Sequence, residues 1–290
     1  MGLAGLLMDA KTSTGDGSLT HLIENGFARK EKKPPLQATG GRYLRASGLP
    51  KLCPREEVIC SIEHITRPDD VDAGLNLTFL HGTALHWAVQ NQLLGPLGCL
   101  YGTWKCNDCG RMYGQPMGQT RYEDWAIPMP TTPCTTPCRT DGCCDSTSYT
   151  YVEASFKDDD LRLTGHADGF LVLPGLPGMG VLEIKSIGAR YAREIKVAPQ
   201  YDHIIQAHAY MLFTGFKWGK ILYWQKAESG LSCLVEHHVE RDEETIRRIQ
   251  DAIRSTWAGV VLKSPPERIC ASQDCAKAKS CPVASLCFRP

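Results

Sequence analysis

No apolar run in the 290 residues approaches the ~20 that cross a bilayer as a helix, so a membrane-spanning helix is not expected. The opening stretch MGLAGLLMDAKT lacks the basic leader of a secretory signal. Leu6 stands where an N-myristoylation motif needs Ser or Thr. Net charge is missing too: 32 Lys and Arg balance 32 Asp and Glu. That excludes a global field as the means of gathering a polyanion and leaves only local basic patches. No internal repeat is apparent. At 42% hydrophobic and 22% charged, the composition suits one large domain, or one domain with an insertion. A soluble, intracellular (cytoplasmic) protein is expected.

Cysteine, in contrast, is abundant at 14 residues. With no export signal and most of them in two local clusters, metal binding is expected rather than disulfides. The upstream cluster reads TWKCNDCGRMYG and then PCTTPCRTDGCCDS. Cys106-x2-Cys109-Gly has the form of a zinc knuckle, in which a short turn aims two sulfurs at one ion and glycine permits the tight backbone. The second pair must come from Cys134, Cys138, Cys143 and Cys144, with Cys138 and Cys143 favoured. The downstream cluster holds Cys270, Cys275, Cys281 and Cys287. Cys60, Cys99 and Cys233 read as ordinary buried cysteines.

Five segments follow along the chain. Residues 1–40, charged and then rich in Pro and Gly, read as a flexible arm. Residues 41–98 include TALHWAVQNQLL (83–94), a helix preceded by Gly82. Residues 99–148, rich in Cys, Pro, Gly and Thr, read as a metal-held insertion of zinc-ribbon type. Regular structure resumes over 149–264. SYTYVEASF (148–156) and LRLTGHADGFLVL (161–173) read as strands, and PGLPGMG is a turn before the strand VLEIKSI. YDHIIQAHAYMLFTG is a helix closed by Gly215. Two more strands and an amphipathic helix over 241–261 complete the segment. Residues 265–290 are a Cys-rich tail. This order predicts an α/β fold with a mixed central sheet flanked by helices.

One strand, GVLEIKS (180–186), carries an acid and a base two positions apart. Glu183 and Lys185 therefore share a face, while Leu182 and Ile184 point into the core. Asp168, in GHADGF, precedes Glu183 by a strand and a Gly/Pro turn, which brings the two carboxylates onto neighbouring strands. Two nearby carboxylates suit a hard divalent ion such as Mg²⁺ or Mn²⁺. Such an ion polarises a phosphodiester and makes hydroxide available near neutral pH. Lys185 can orient the water or offset charge in the transition state. Glu-x-Lys alone is common as a plain ion pair on half-exposed strands. The upstream GHADG and the following Gln-x3-Tyr helix give it weight.

GHADG, LEIKS and then Gln206-Ala-His-Ala-Tyr210 together resemble the PD-(D/E)xK nucleases of the RecB type. GTALHWAV resembles that family's first motif, in which a helical His binds metal. The resemblance covers roughly residues 42–290 apart from the insertion. It implies a restriction-endonuclease-like core and a metal site made by His86, Asp168, Glu183 and the backbone carbonyl of Ile184. Lys185 would be catalytic, and Gln206 and Tyr210 would position DNA or the lysine from one helix face.

The flanking cysteines resemble those of the family's iron–sulfur members, which include the AddB nuclease and the CRISPR adaptation exonucleases. These have one Cys before the His motif and three after the last helix, usually spaced C-x2-C-x5-C. Here the final x5 gap is kept and the earlier gap is x5 instead of x2. The resemblance implies a [4Fe–4S] cluster on Cys53, Cys275, Cys281 and Cys287, with Cys270 as the substitute; a zinc site of the four tail cysteines is the alternative. The function implied is a metal-dependent DNA exonuclease acting on single strands or ends, in recombination, repair or phage DNA metabolism. A structure-specific endonuclease and a non-catalytic DNA-binding or assembly subunit are the alternatives. DNA is the implied partner, with possible protein partners in a recombination or repair complex. Arg42, Arg45, Arg190, Arg193 and Lys196 are candidate phosphate contacts.

Overall fold

The structure is a computed structural model and describes residues 19–39, 42–114, 121–134 and 144–289. The chain divides into two units, one of Tyr43–Leu52 and Leu85–Ile253, the other of Met1–Arg42, Cys53–Ala84 and Arg254–Pro290.

The first unit holds the strands β1 (Leu100–Cys106), β2 (Tyr149–Val152), β3 (Ala154–Asp158), β4 (Leu163–Ala167), β5 (Gly169–Leu171), β6 (Gly180–Ile187), β7 (Trp218–Gln225) and β8 (Leu234–Glu240). The larger sheet runs in the order β8-β7-β6-β5-β1. To β1 are added β2 and the two-residue strands Met112–Tyr113 and Ile127–Pro128. Only β6 and β7 pair in parallel within this sheet, so the sheet is mixed. A parallel neighbour needs a crossover, and the connection carries the helix Tyr201–Thr214. Leu44–Arg45, β4 and β3 form a second sheet of three strands.

Leu182 and Ile184 are buried with Trp104, Leu100 and Trp218 in one apolar cluster, as the alternation in GVLEIKS predicts. The strands expected over 148–156 and 161–173 are each interrupted. The first breaks at Glu153, between β2 and β3, and the second at Asp168, between β4 and β5. At both breaks the chain leaves one sheet for the other. Ala154 and Ala167 are register partners, so the two acids leave the ladder side by side.

The helices longer than two turns are α1 (Leu19–Phe27), α2 (Pro54–Ile62), α3 (Ala73–Ala88), α4 (Tyr201–Thr214) and α5 (Glu243–Leu262). Gly215 closes α4 at φ +75, the left-handed conformation that glycine adopts without strain. The helix expected at 83–94 starts ten residues earlier. Asp72 caps it, its Oδ1 accepting from Leu75 N at 2.7 Å. That cap outweighs the ~1 kcal/mol an interior glycine costs at Gly82. After Ala88 the helix widens into a π-turn over Val89–Leu94, a form often found at functional sites.

In the second unit, the described residues 19–39 of the segment expected to be a flexible arm include the helix Leu19–Phe27 and the pair Lys32–Lys33. Its backbone has partners: Arg29 bridges Val71, and Lys32–Lys33 pair with Arg67–Pro68. Glu57 of α2 receives both Arg42 and Arg67. The tail packs on α2 through Val283, which meets Ile59 and Cys60. No described helix is long and apolar enough to cross a membrane.

Candidate active and metal sites

Asp168 sits where β4 gives way to β5, opposite Glu183 in the register set by Gly169 and Leu182. Its carboxylate is anchored on both sides. Oδ2 accepts the Ile184 N–H at 2.6 Å, and Oδ1 lies 3.1 Å from His86 Nδ1. One helical turn beyond His86, the buried Gln90 amide donates to the Asp168 carbonyl at 2.8 Å and to Glu153 Oε1 at 3.2 Å. One amide thus satisfies the carbonyl freed at one strand break and the carboxylate at the other, as buried polar groups require.

Glu153 is the residue that sequence reasoning missed. Its Oε1 lies 3.9 Å from His86 Nδ1, and His86, Glu153 and Asp168 each offer a ligand atom within 4.8 Å of the others. The signal was an acid interrupting the aromatic strand YVEAS, the same kind of interruption that marked GVLEIKS.

Glu183 lies next to this group. It is only 1% exposed, and Lys185 Nζ is in ion-pair contact with Oε1. Among the described residues no further donor reaches either oxygen. Burial lifts the Glu183 carboxyl well above the usual carboxylate range; Lys185 opposes the shift and Asp168 adds to it. Burial alone would lower Lys185, but Glu183 and Asp168 outweigh it and keep the amine an ammonium. His86 follows the same logic. Burial disfavours its charged form, yet hydrogen bonds to Asp168 and Glu153 raise it to about 10. In turn, His86 and Gln90 hold Glu153 below its ordinary value. The cluster is thus a set of carboxylates compensated by a proton on His86 and by Lys185. Oxygen and imidazole donors in this arrangement suit a divalent cation.

Gln206 and Tyr210 lie on the buried face of α4 and bond to each other, Gln206 Nε2 donating to Tyr210 Oη at 3.0 Å. Tyr210 is close enough to Glu183 and Asp168 to feel both charges, which with burial raise its phenol. Of the basic candidates, Arg42 is engaged by Glu57, Lys196 lies 3.6 Å from Glu228, and Arg190 stacks over Tyr191.

None of the twelve described cysteines forms a disulfide. In the insertion, Cys106, Cys109, Cys134 and Cys144 bring their sulfurs within 4.8 Å of one another. Cys106 and Cys144 are 3.5 Å apart, and Cys109 and Cys134 are 3.8 Å apart. A tetrahedral ion with four Zn–S bonds of ~2.3 Å requires sulfurs about 3.8 Å apart. Gly110, at φ +74, makes the knuckle turn. The favoured Cys138 and Cys143 lie outside the described residues, and the described chain completes the set with Cys134 and Cys144. Chain order alone could not separate them. The β1–β2 pairing sets Cys106 opposite Tyr149, near Cys144 in the chain.

In the second unit, Cys53, Cys270, Cys281 and Cys287 line one small pocket open to solvent. Cys275 turns its sulfur to the Ala278 N–H and to Cys270. Arg55 donates to Cys287 Sγ at 3.2 Å. These sulfurs are not drawn as close as those of the insertion.

Glu153→Gln keeps the side chain's shape but removes its charge beside His86. We expect Mn²⁺ affinity to fall by about 10–100-fold, as when a metal-bound histidine loses its carboxylate partner. Calorimetric titration checks this; unchanged affinity places Glu153 outside the centre.

No family model matches the chain, and no curated protein does. Among solved structures it is similar to an alkaline exonuclease, LHK-Exo, from Laribacter hongkongensis. There the identity is 18% over 38% of this chain and 59% of that one, with a TM-score of 0.32. The same enzyme in complex with dAMP matches at 13% identity over 76% and 89%, with a TM-score of 0.43. A third structure, SSO0001, matches at 15% identity over 84% and 88%, with a TM-score of 0.36. The functional reading therefore rests on the residues themselves.

Proposed function

We propose that this protein is a divalent-metal-dependent nuclease of PD-(D/E)xK type that hydrolyses DNA phosphodiesters, acting on single strands or ends. One observation carries the reading. Among the described residues the buried Glu183 carboxylate has no donor other than Lys185, and it stands opposite Asp168, which His86 approaches at 3.1 Å. A buried carboxylate left so incompletely partnered costs stability, and fold maintenance gives no reason to keep it.

Asp168, Glu183, His86 and the Ile184 carbonyl would hold the ion, with Glu153 beside His86. When bound, Mg²⁺ or Mn²⁺ polarises the phosphoryl oxygens and lowers the pKa of a coordinated water. The protein's own groups do the rest. The Ile184 N–H fixes Asp168 from behind, and Gln90 fixes the strand break that carries it. Lys185, kept charged by its acidic neighbours, would orient the attacking water and offset the negative charge on the phosphoryl oxygens in the transition state. The water oxygen would bond to phosphorus as the P–O ester bond breaks, the water giving its proton to solvent and the departing oxygen taking one from solvent. Gln206 and Tyr210 brace the helix face over this pair.

The soft thiolate set of the insertion fits Zn²⁺ on Cys106, Cys109, Cys134 and Cys144. The tail cysteines would fit a [4Fe–4S] cluster on Cys53, Cys281 and Cys287 with Cys275 as the fourth ligand, or with Cys270, which lines the pocket with the other three, in its place. Cys270 stands ready beside Cys275. Such a cluster would tie α2 to the tail.

The activity test is digestion of end-labelled single-stranded, duplex and circular DNA with Mg²⁺ or Mn²⁺. Shortening of linear DNA with circles intact is the expected result. Cleaved circles would make it an endonuclease, and no cleavage would leave a binding or assembly subunit.

Metal binding should also depend on pH. His86 and Glu183 are both raised, so they hold protons that an ion must displace. Mn²⁺ affinity should therefore rise from about pH 6.5 to 8.5, with proton release visible as buffer-dependent binding heat. A pH-independent affinity contradicts this.

A further inference from the structure

On α4, His203 precedes Gln206 by three residues and Tyr210 by seven, so all three share one face. It is also tied to the strand next to the catalytic one. Tyr223, on β7, is the register partner of Lys185 on β6, and the two strands run parallel, so both side chains leave the sheet on the same side. The Tyr223 phenol oxygen accepts the Gln200 N–H at 3.0 Å and lies 2.8 Å from His203 Nδ1.

That arrangement selects a tautomer. The phenol has one proton to give, and among the described residues His203 Nδ1 is the acceptor within its reach. Nδ1 then carries the lone pair and Nε2 carries the hydrogen. Nε2 has no protein partner among the described residues. Burial, together with the ammonium groups of Lys185 and Lys51, pushes the ring down to about 4. It stays neutral at the pH where the nuclease would work. A neutral N–H donor beside a catalytic lysine adds a hydrogen bond to an anion without adding a second charge for Lys185 to repel.

Resting on the nuclease reading, we propose that His203, oriented by Tyr223, donates its Nε2–H to a non-bridging oxygen of a substrate phosphate adjacent to the one Lys185 serves. His203 would be a substrate-positioning residue and Tyr223 its orienting partner. The ligand class is a strand with at least two consecutive phosphodiesters. Neither residue belongs to the Asp, Glu-x-Lys and Gln-x3-Tyr set.

The test combines His203→Ala, the bulkier His203→Leu, His203→Gln and Tyr223→Phe with oligonucleotides carrying one neutral methylphosphonate at successive positions. Wild type should lose about tenfold in kcat/KM when the modification falls at the contacted phosphate, the scale of one hydrogen bond to a charged group. H203A and H203L should lose the same factor on unmodified DNA, mainly through KM, and nothing more at that position. H203Q, which restores an N–H near Nε2, should recover most of the loss, and Y223F should fall between. Cleavage by H203A and H203L at wild-type KM overturns the inference alone. So does a methylphosphonate effect that is as large in H203A as in wild type. No cleavage by wild type overturns the nuclease reading and this inference with it.

Discussion

Glu183→Ala and Lys185→Ala should leave end-labelled DNA uncut, their rates lower than wild type by about 10³-fold or more, the scale set by losing a positioned catalytic group. Their stabilities should differ. Glu183 is buried and Lys185 is partly open to solvent, at 1% and 25% side-chain exposure. Removing the lysine leaves a buried carboxylate without its counter-charge, which costs about 3–5 kcal/mol unless the group takes a proton. Removing the carboxylate leaves an ammonium that the Asp168 charge still favours through space and that water reaches. Thermal melting should therefore rank K185A below E183A. The K185A deficit should also depend on pH. Burial raises the folded-state pKa of Glu183, so its proton protects the fold at low pH. That protection is lost as pH rises above the ordinary carboxylate range and through the raised value. Equal melting of the two variants at all pH values would show that the pair is a surface ion pair after all.

Cys134→Ser and Cys144→Ser should each release zinc from the purified protein, while Cys138→Ser and Cys143→Ser keep it. The expected readout is about one zinc per chain in wild type, by elemental analysis, and near none in the first two variants. The effect is all-or-none because a structural zinc site closes only with its four ligands, and binding of this kind contributes ~10–16 kcal/mol to order in small domains. The consequence reaches the candidate active site. Cys106 is the register partner of Tyr149, Tyr151 pairs with Trp104, and β2 ends beside Glu153. Freeing the sulfurs loosens the β1–β2 pair that sets Glu153 next to His86, so DNA cleavage should fall along with zinc content. Zinc kept in C134S and lost in C138S contradicts the assignment.

Much of this was legible from residue order. The alternation in GVLEIKS placed Leu182 and Ile184 in the core and put Glu183 and Lys185 on one face, and Gly215 marked the end of α4. What periodicity could not show was where a strand changes sheets. Glu153 and Asp168 both sit at such breaks, and only pairing across 60 or more residues, as in the Asn91 side chain accepting the Tyr151 N–H, brings Glu153 to His86. The choice among the insertion's cysteines was left open for the same reason: sulfur spacing along the chain says little when the partner strand returns some forty residues later. α3 starts at Ala73 and not at 83 because the Asp72 cap outweighs the interior Gly82. His203 gave no sequence signal at all, since its role depends on a phenol on another strand.

The most direct measurement is anomalous diffraction from crystals soaked in Mn²⁺. The account predicts one strong peak bounded by Asp168, Glu183, His86 and the Ile184 carbonyl, with the Lys185 ammonium beside it and the peak lost in Glu183→Ala. Manganese bound elsewhere, or a peak that survives that substitution unchanged, would contradict it.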